Sequence, residues 1–476
     1  NDFRTFKVCS KQGKDIKEYK KTLTVAQSRL VSYLSEYQEI FRNKTKKFFD
    51  KAQLYTQGIL LTHRCNIEQI ADNLLEPNYF QMQHFISDSN WSYREAIDIA
   101  AIHTSKALRK VKLTGLILDE TGVEKKGDKS VGVGHQYCGN VGKTANSQVA
   151  VMGCLSNGDF ASMIDARLYL PKDWCEDPDR CEKAGVPEHE REFKTKIDLA
   201  YEIILHQLEL GTSFDYIGAD GFYGSDSTLA NRIDRLGLLY MFDIRGNQTI
   251  FLDEPELKLP DRKGNRGRIP KHLKIDVQNI QSFKVADYIE ELKKEDWEEV
   301  KIRKGAKGTL RGLFHFKKVY IWNKQDNQIE KRLLVIRKMK TKIGMEIKYS
   351  FTNADLVQYT PKVLAYMQAQ RFFVEHCIKE SKYILGMDQF QTRKWLAWHH
   401  QIALNIMTMC FMLKEKLFCF RDLPLLSARD IKDWLCYNMV KEMTEIDVIK
   451  LIFNRHLRRQ HAINSCYLKE YVNVSK

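Results

Sequence analysis

The sequence predicts an α/β fold: a core with a mixed β-sheet, interrupted by a β-rich insertion, with helical regions at both ends of the chain. Three observations predict it. Apolar residues recur at helical spacing before residue 110 and after residue 361. Short apolar runs of strand length alternate with helical stretches from residue 113 to residue 246. A second set of strand patterns occupies residues 247–352.

Length and composition indicate a folded, basic protein of several domains. The 476 residues exceed one ordinary core, and 43% hydrophobic residues with 11% aromatic residues suffice for packed cores. The net charge of +15 arises from 76 Lys and Arg against 61 Asp and Glu. This excess favours an anionic partner, either nucleic acid or a membrane surface, and a generic basic surface is the alternative.

Cysteine usage and hydropathy predict a cytoplasmic protein. The 11 cysteines form no CxxC pair, and the closest two are Cys175 and Cys181. This dispersed set predicts reduced thiols rather than disulfides or a zinc site. No apolar run reaches the roughly 18–20 residues of a membrane span, and the apolar run at 402–413 has the length of a buried helix.

Residues 1–110 predict a helical domain. Helical spacing covers residues 40–61, and residues 66–74 begin with Asn66, a residue type that caps helix N-termini. Residues 78–91 predict another short helix. Short helices joined by polar turns are typical of a DNA-binding module, and a plain helical bundle is an equal alternative.

Residues 111–246 predict the first part of the core. The patterns alternate between strands and helices, and the longest helix ends near Gly211, a residue suited to a helix C-terminus. The predicted elements are strands at 113–118, 147–155 and 160–170, a helix at 191–211, a strand at 214–220, a helix at 226–237 and a strand at 238–246.

The rest of the chain predicts three further regions. Residues 247–352 form the β-rich insertion, residues 353–417 the second part of the core, and residues 418–476 a basic helical C-terminal region. The insertion begins with a basic loop at 258–272 and continues with strands at 297–304, 310–323 and 331–339. Helices are predicted at 361–386, 395–417, 427–439 and 454–462.

Two aspartates stand at the carboxyl ends of predicted core strands. Asp119 follows the apolar run at 116–118, and Asp220 follows the strand pattern at 214–219. Functional groups gather at this edge of α/β sheets, so we expect the two carboxylates to lie close together. Such oxygen ligands suit Mg²⁺, and two such ions activate water and stabilise the leaving oxygen of a phosphodiester. A turn or cap role is the alternative for either aspartate alone.

Several sequence blocks resemble one family. "DETGVEKKGDKSVGVGHQYCGNVGKTANSQVAV" (119–151), "RLYLPKDWCED" (167–177), "AGVPEH" (184–189) and "ADGFYG" (219–224) are similar to blocks of the IS701 family of insertion-sequence transposases. The segment "RFFVEHCIKESKYILGMDQFQTRKWLAWHHQIAL" (371–404) continues the match. This family is related to the wider IS4 group, whose members carry a DDE triad.

The resemblance implies a fold, an activity and partners. It implies an RNase H-like catalytic core interrupted by the β-rich insertion, and a transposase that cleaves transposon ends and joins them to target DNA. The implied partners are terminal inverted repeats, target DNA and a second copy of the chain, giving a homodimer on DNA. The implied location is the prokaryotic cytoplasm, with the protein nucleoid-associated when it is bound to DNA.

The resemblance also assigns the site residues. It maps the catalytic and metal-binding acids onto Asp119, Asp220 and Glu375, which bind two Mg²⁺ ions, with Mn²⁺ as a substitute. The IS4-group signature Tyr-x2-Arg-x3-Glu-x6-Lys places Arg371 and Lys382 beside Glu375. The position of the signature tyrosine is Gln368 in this chain, and the nearest tyrosine is Tyr366.

Helical geometry is consistent with this third block. At about 100° per residue, Arg371, Glu375 and Lys382 fall within about 40° of one another on one helix face. One face therefore offers a carboxylate between two cations suited to phosphate. Glu380 falls on the opposite face. A solvated helix with ion pairs between residues four apart is the alternative.

Further basic and aromatic residues are candidates for DNA binding. Lys125, Lys126 and Lys143 lie in the first block, and solvated charge is the alternative for each. A tryptophan of the insertion, Trp297 or Trp322, is a candidate for stacking on a base, and a core role is its alternative. The basic tail contributes Arg455, Arg458 and Arg459, and His399 and His400 are expected to be packed histidines.

We predict a DDE transposase, with two alternatives. One is a transposase-derived DNA-binding protein without catalysis, and the other is a metal-dependent nuclease without strand transfer. Successive side chains on a strand point to opposite faces, so Asp119 and Glu120 are not expected to reach the same ion. We therefore predict that Asp119 is the ligand and that Glu120 lies outside the metal coordination.

Overall fold

A computed structural model describes residues 23–74, 79–109, 113–260, 272–276, 280–305, 308–324, 326–341, 344–440 and 442–474. Most of the predicted basic loop at 258–272 and the first residues of the predicted N-terminal domain lie outside these ranges. No helix within them combines the length and the apolar character needed to cross a membrane.

The described chain alternates between helical and β-rich parts. The strands are β1 (Arg42–Asn43), β2 (Lys46–Lys47), β3 (Gly115–Glu124), β4 (Val133–Cys138), β5 (Lys143–Ser156), β6 (Ala161–Leu168), β7 (Tyr216–Ala219), β8 (Tyr240–Ile244), β9 (Thr249–Phe251), β10 (Leu257–Lys258), β11 (Lys274–Ile275), β12 (Ser282–Lys284), β13 (Glu298–Gly305), β14 (Gly308–Asn323), β15 (Gln328–Lys340) and β16 (Met345–Thr352).

The helices surround this β structure. They are α1 (Ala26–Ser35), α2 (Phe49–Leu61), α3 (Ile67–Asn73), α4 (Tyr79–Ser87), α5 (Tyr93–Leu108), α6 (Lys172–Cys175), α7 (Pro178–Ala184), α8 (Lys196–Glu209), α9 (Gly221–Gly224), α10 (Ser227–Arg235), α11 (Val285–Tyr288), α12 (Pro361–Ala369), α13 (Arg371–Leu385), α14 (Trp395–Cys419), α15 (Ala428–Met439) and α16 (Glu445–Val474). Short 3₁₀ segments lie at Glu188–Glu190, Ile289–Glu291 and Lys294–Asp296.

One mixed sheet organises the molecule. Within the described residues it has 12 strands, and its core runs in the order β6, β5, β3, β7, β8. The first three are antiparallel, whereas β7 and β8 run parallel to β3. Three antiparallel strands followed by two parallel ones, with α8 and α10 as the crossovers, form the RNase H-like α/β core that the sequence predicts.

The strands of residues 247–352 continue this sheet. β16 pairs antiparallel with β8, β15 and β14 follow in turn, and β9 and β12 lie beyond them. Backbone hydrogen bonds between β16 and β8 therefore join the insertion to the α/β core. The apolar residues on this side, among them Ile244, Ile336 and Phe351, form a separate hydrophobic cluster.

The two faces of the core sheet bury different residues. One face packs Leu116, Leu118 and Phe242 against the apolar side of α8 and α10. The other packs Ile117 and Met241 against α13 and α14. Side chains alternate along a strand, so each core strand contributes to both layers. This double burial explains the nearly continuous apolar runs that predicted the strands.

Local sequence signals set several helix starts. Asn66 Oδ1 accepts a hydrogen bond from the backbone N–H of Gln69 at 2.9 Å, which caps α3 as predicted. Thr195 and Asp198 form a reciprocal capping box at the start of α8. Gly211 follows α8 with φ of 73°, a conformation that favours glycine at a helix end.

Three sequence predictions need correction. Residues 40–48 are not helical, because β1 and β2 form a hairpin whose turn places Lys44 at φ of 51°. The predicted helix at 361–386 is two helices, since Gln370 Nε2 donates to the Tyr366 carbonyl at 3.1 Å and its own N–H turns to Met367. Strand β3 does not end at Asp119 but runs on to Glu124, because the long strand β5 pairs with it throughout.

Candidate active site

Three aspartates occupy equivalent positions on three neighbouring parallel strands. Leu118 of β3 pairs with Ala219 of β7, which in turn pairs with Phe242 of β8. The next residue along the chain is in each case an aspartate: Asp119 on β3, Asp220 directly after the end of β7, and Asp243 on β8. Although β3 continues beyond Asp119, its parallel pairing with β7 stops at Leu118. The sheet therefore opens at the point where these carboxylates begin.

The three aspartates face helix α13. Their predecessors Leu118, Ala219 and Phe242 are buried in the layer formed with α8 and α10. Because side chains alternate along a strand, the residues that follow point to the other face. That face is covered by α13, which carries Arg371 and Glu375.

Burial and neighbouring acids perturb the Asp119 carboxyl. Burial raises the pKa of the Asp119 carboxyl to about 7, and the negative charges of Asp220 and Glu375 also raise it. The Glu120 backbone N–H donates to Asp119 Oδ1 at 2.8 Å, which partly offsets these effects. A carboxylate held near other carboxylates is stabilised by a bound cation, so this environment suits a metal ligand.

Asp220 is fixed by the turn that follows it. Its Oδ1 accepts hydrogen bonds from the backbone N–H groups of Phe222 at 2.9 Å and Tyr223 at 3.4 Å, and it thereby caps α9. The turn packs directly against β8. A Cβ atom added at Gly224 would lie only 2.0 Å from the Asp243 carbonyl oxygen, so a larger residue does not fit there. This close approach explains the glycine that ends "ADGFYG".

Glu375 is held by an arginine one helical turn earlier. Arg371 Nη1 lies 2.6 Å from Glu375 Oε1, and the Glu375 side chain is 38% exposed. Arg371 also donates through Nε to Asp243 Oδ2 at 3.0 Å. Glu380 is on the opposite face of α13, where Lys416 donates to its carboxylate at 2.9 Å. The structure therefore places Glu375, and not Glu380, towards the aspartates.

Adjacent acids on β3 separate to opposite sides of the sheet. Glu120 Oε2 lies 2.5 Å from Lys196 Nζ at the start of α8. Asp119 instead interacts electrostatically with Asp220, Arg371 and Glu375. This arrangement agrees with the expectation that only one of the pair faces the candidate metal site.

Two of the predicted DNA-binding lysines have structural partners. Lys382 is buried, and its Nζ donates to the Gly122 carbonyl at 2.9 Å, which ties α13 to β3. Lys125 Nζ donates to the Phe390 carbonyl at 3.1 Å, and burial lowers the pKa of Lys125 to about 8. Lys126 and Lys143 are exposed.

The arginines of the basic tail mostly bind the N-terminal helices. Arg455 Nε donates to Asp72 Oδ2 at 2.8 Å, and Arg458 Nη2 donates to Asp72 Oδ1 at 2.9 Å. These contacts join α16 to α3. Arg459 is exposed.

The two candidate tryptophans have different surroundings. Trp322 lines a cleft of about 340 Å³ that also borders Gly224 and Ser225, at the end of the turn after Asp220. Its Nε1 is buried with no hydrogen-bond partner among the described residues. Trp297 packs against the core of the insertion, and Lys338 Nζ lies 4.1 Å from its ring centroid.

The remaining predicted positions are packed. His400 stacks on Trp91 with ring centroids 3.8 Å apart and contacts two backbone carbonyls. Burial lowers the pKa of His399 to about 3 and that of His400 to about 4, so both are neutral packed residues, as expected. Gln368, at the position of the signature tyrosine, is buried and donates to Ser350 Oγ at 2.9 Å.

Sequence reasoning missed Asp243. Its signal was present, since "YMFD" is an apolar strand that ends on an aspartate like the strands before Asp119 and Asp220. Burial raises the pKa of the Asp243 carboxyl, and the positive charge of Arg371 opposes this shift. Asp243 is therefore a third acid on this face of the sheet, opposite Glu375 of α13.

The donor chemistry fits a hard divalent cation. Asp119, Asp220 and Glu375 supply carboxylate oxygens, the ligand type that Mg²⁺ prefers. Within the described ranges, no three His, Cys, Asp or Glu side chains are grouped closely enough to hold a metal ion. Glu375 is bound to Arg371 instead.

Comparison with known proteins identifies the family. A family model described as a DDE superfamily endonuclease matches residues 36–309, which include Asp119 and Asp220 but not Glu375. The chain is 27% identical over 226 residues to a probable transposase for insertion sequence element IS701 from Microchaete diplosiphon. That alignment covers 46% of this chain and 56% of the relative, so it spans about half of each protein.

One solved structure shows a distant likeness. A piggyBac transposase synaptic complex with hairpin DNA matches with 12% identity and a TM-score of 0.34, over 89% of this chain and 80% of that one. The family model, in contrast, covers more than half of the 476 residues. This protein belongs to the DDE superfamily of endonucleases, a family whose members depend on a divalent metal ion.

Proposed function

We propose that this chain is a DNA transposase that cleaves transposon ends and joins them to target DNA. The observation that carries the proposal is the alignment of Asp119 and Asp220 on neighbouring strands, facing Glu375 on α13, within a DDE endonuclease core. Cleavage and joining are both in-line phosphoryl transfers. Water attacks the phosphodiester at the transposon end and displaces the transposon 3′-hydroxyl. That hydroxyl then attacks a target phosphodiester, forms the new ester bond and displaces a 3′-hydroxyl of the target strand.

In this proposal, Asp119, Asp220 and Glu375 hold two Mg²⁺ ions, for which Mn²⁺ substitutes. Bound there, the metal supplies an activated water and neutralises charge on the leaving oxygen. Asp119 binds as the carboxylate, and because its pKa is about 7 in the free protein, binding displaces its proton near neutral pH. Asp220 keeps its orientation through its hydrogen bonds to α9.

In this proposal Glu375 leaves Arg371 when it joins the metal site. Its carboxylate is paired with Arg371 at 2.6 Å, and its exposed fraction of 38% leaves room for rotation. Once Glu375 turns to the metal, the Nη atoms of Arg371 become available to the scissile phosphate, which its planar guanidinium suits.

The DNA is expected to lie across the exposed basic residues. Lys126, Lys143 and Arg459 are exposed and contribute direct phosphate contacts in this proposal. Four of the predicted basic residues form hydrogen bonds within the protein: Lys125, Lys382, Arg455 and Arg458. In this proposal they contribute to the positive electrostatic field and to the position of neighbouring elements rather than to direct phosphate contacts.

Trp322 is the better candidate for stacking on a base. Its ring lines the cleft beside the turn after Asp220, where a base could stack on it. Trp297 instead packs against the hydrophobic core of the insertion. The partners in this proposal are terminal inverted repeats, target DNA and a second copy of the chain, since two ends must be paired. The proposed location is the prokaryotic nucleoid.

A joining assay tests the function. The full chain is incubated with Mg²⁺, DNA carrying the inverted repeats that flank its gene, and a target plasmid. Joined products with short target duplications are expected. End cleavage without joining would favour the metal-dependent nuclease, and binding without cleavage would favour the DNA-binding protein without catalysis.

Matched variants assign the activity to the site. Glu375→Gln should abolish both steps, whereas Glu380→Gln, on the opposite face of the same helix, should retain them. Asp220→Asn is preferred to alanine, because the remaining amide oxygen still caps α9. Equal activity of Glu375→Gln and Glu380→Gln would exclude Glu375 from the site.

A further inference from the structure

We propose that Asp243 is a positioning residue that controls how tightly Arg371 holds Glu375, and thereby how readily Glu375 is released to a metal ion. This inference rests on the proposed function of the site. Asp243 is the third aspartate in the row across β3, β7 and β8. In this proposal it binds the arginine and not the metal.

The position of Asp243 is fixed from two directions. Its Oδ2 accepts from Arg371 Nε at 3.0 Å, and its Oδ1 accepts from Ser350 Oγ at 2.7 Å. Asp243 and Ser350 are paired residues of β8 and β16, so the sheet itself sets this contact. Gln368 Nε2 donates to the same Ser350 oxygen at 2.9 Å, which anchors the hydroxyl from α12. Both carboxylate oxygens of Asp243 are thereby occupied.

Arg371 is shared between two acids. Its Nε binds Asp243, and its Nη1 binds Glu375 at 2.6 Å. The guanidinium presents its donors in a fixed fork, so the contact with Asp243 orients the group that meets Glu375. The negative charge of Asp243 also satisfies part of the positive charge of Arg371. Glu375 is therefore bound less strongly than it would be by an arginine with no other anion.

Removing the charge of Asp243 should strengthen the remaining pair. With Asp243→Asn, Arg371 keeps Glu375 as its direct carboxylate partner, and a metal ion must compete with a stronger ion pair. Other positive groups near Asp243 do not replace Arg371, since Arg337 binds Glu346 at 3.5 Å and Lys348 lies 3.7 Å from the same residue. The consequence is a weaker metal site in a protein whose metal-ligating acids are all intact.

A purely structural role makes a different prediction. Asp165 of β6 is buried in the same sheet and accepts from Arg94 Nη1 at 2.8 Å, away from Glu375. Loss of either Asp165 or Asp243 removes a partner from a partly buried arginine and should lower thermal stability. Only the loss of Asp243 should change metal affinity, so Asp165→Asn is the matched control.

The test measures Mn²⁺ binding by the full chain without DNA, by electron paramagnetic resonance. We expect Asp243→Asn to weaken Mn²⁺ binding about tenfold, the effect of altering one charge-assisted hydrogen bond, and Asp165→Asn to change it less than about twofold. Ser350→Ala removes a donor to Asp243 but keeps its charge, so it should not weaken Mn²⁺ binding. Unchanged affinity in Asp243→Asn, or equal loss in Asp165→Asn, would overturn the proposal.

A double variant identifies the intermediary. In an Arg371→Gln background the competitor for Glu375 is gone, so adding Asp243→Asn should have no further effect on Mn²⁺ affinity. The same tenfold loss in that background would show that Asp243 acts on the metal directly and would overturn the positioning role. Glu375→Gln distinguishes a failure of the proposed metal site from a failure of the positioning role. If Glu375→Gln binds Mn²⁺ as the wild type does, the proposed site is wrong. The Asp243 variants test only the positioning role.

Discussion

Asp119 and Asp220 lie at the same level on two neighbouring parallel strands, each one residue beyond the paired positions Leu118 and Ala219. The sheet thus delivers two carboxylates to one face, and burial near Asp220 raises the pKa of Asp119 to about 7. The site is strained electrostatically in the free protein. A bound divalent cation relieves this strain, and several measurable consequences follow from that relationship.

The contribution of Asp119 to the stability of the metal-free protein should fall as pH rises from about 4 to about 7. The pKa of Asp119 is about 7 in the folded protein and about 3.9 in an unfolded chain. Between these values the folded state holds a proton that the unfolded state has released, so stability declines as pH rises, and the loss is complete above the folded pKa. Thermal melts of wild type and Asp119→Asn at several pH values measure it.

The expected signature is a change in the difference between the two proteins. Asp119→Asn should gain stability relative to wild type on going from about pH 5 to about pH 8, and added Mg²⁺ should restore the wild type alone. A difference in melting temperature that stays constant across this range would contradict the shifted pKa of Asp119.

Gly224→Ala should damage the site from outside the acidic row. Its Cβ would lie 2.0 Å from the Asp243 carbonyl oxygen, so β8 or the turn after Asp220 has to move. We expect a loss of stability of about 1–3 kcal/mol and a strong loss of DNA cleavage. Gly185→Ala is the control, because no atom lies within 4 Å of a Cβ there and only the strain of its positive φ remains. Full cleavage activity in Gly224→Ala would show that the turn is not tightly constrained.

Buried and exposed lysines should differ in what they affect. Lys382→Met removes a charged donor from the Gly122 carbonyl, which keeps only the Asn140 Nδ2 side-chain donor at 2.9 Å, and should cost about 1–3 kcal/mol of stability. Lys126→Ala and Lys143→Ala should leave the melting temperature nearly unchanged, yet weaken DNA binding and reduce its dependence on salt concentration. Melting curves and DNA titrations at several salt concentrations distinguish them. A salt slope identical to that of the wild type would remove Lys126 and Lys143 from the DNA path.

The two tryptophans of the insertion should also differ in whether they affect DNA binding or stability. Trp322→Ala should reduce binding or cleavage of transposon-end DNA by about 1–3 kcal/mol, the contribution of one stacked base. Trp297→Ala should instead lower stability, because Trp297 packs in the insertion core beneath Lys338. Binding titrations with end DNA and thermal melts measure both. The reverse outcome, with DNA binding lost only in Trp297→Ala, would reverse the assignment.

Asp72 should couple the two ends of the chain. It binds both Arg455 and Arg458, which joins α3 to α16, and the Arg458 side chain is only 12% exposed. A double-mutant cycle between Asp72→Asn and Arg458→Gln should give a coupling free energy of about 1–3 kcal/mol, as expected for residues in one ion-pair network. Denaturant unfolding of the four proteins measures it. Additive effects would assign the arginine to solvent or DNA rather than to α3.

Much of the fold was predictable because its signals are local. Apolar runs of strand length and helical spacing predicted the core strands, α8, α10 and α14 close to their observed positions. The hairpin at β1 and β2 was missed because Lys44 adopts a left-handed conformation that nothing in the residue type signals. The break between α12 and α13 was missed because it depends on the side chain of Gln370 binding the backbone.

The site was predictable where strand ends carry acids and less so where partners are distant. The pattern that singled out Asp119 and Asp220 also occurs at Asp243, but register across three strands is needed to see that all three align. Lys382 resembles a phosphate ligand in the sequence, yet its partner is a carbonyl 260 residues away. Helical spacing places Lys382 on the same helix face as Glu375, but it does not indicate whether β3 buries Lys382.

The most direct test is the structure of the full chain bound to transposon-end DNA and Mn²⁺, with the metal located by its anomalous scattering. We expect metal peaks at Asp119, Asp220 and Glu375. Arg371 should still donate a hydrogen bond to Asp243, and Glu120 should still pair with Lys196. A metal bound by Glu120 with Asp119 turned away, or a metal peak remote from all three acids, would contradict it.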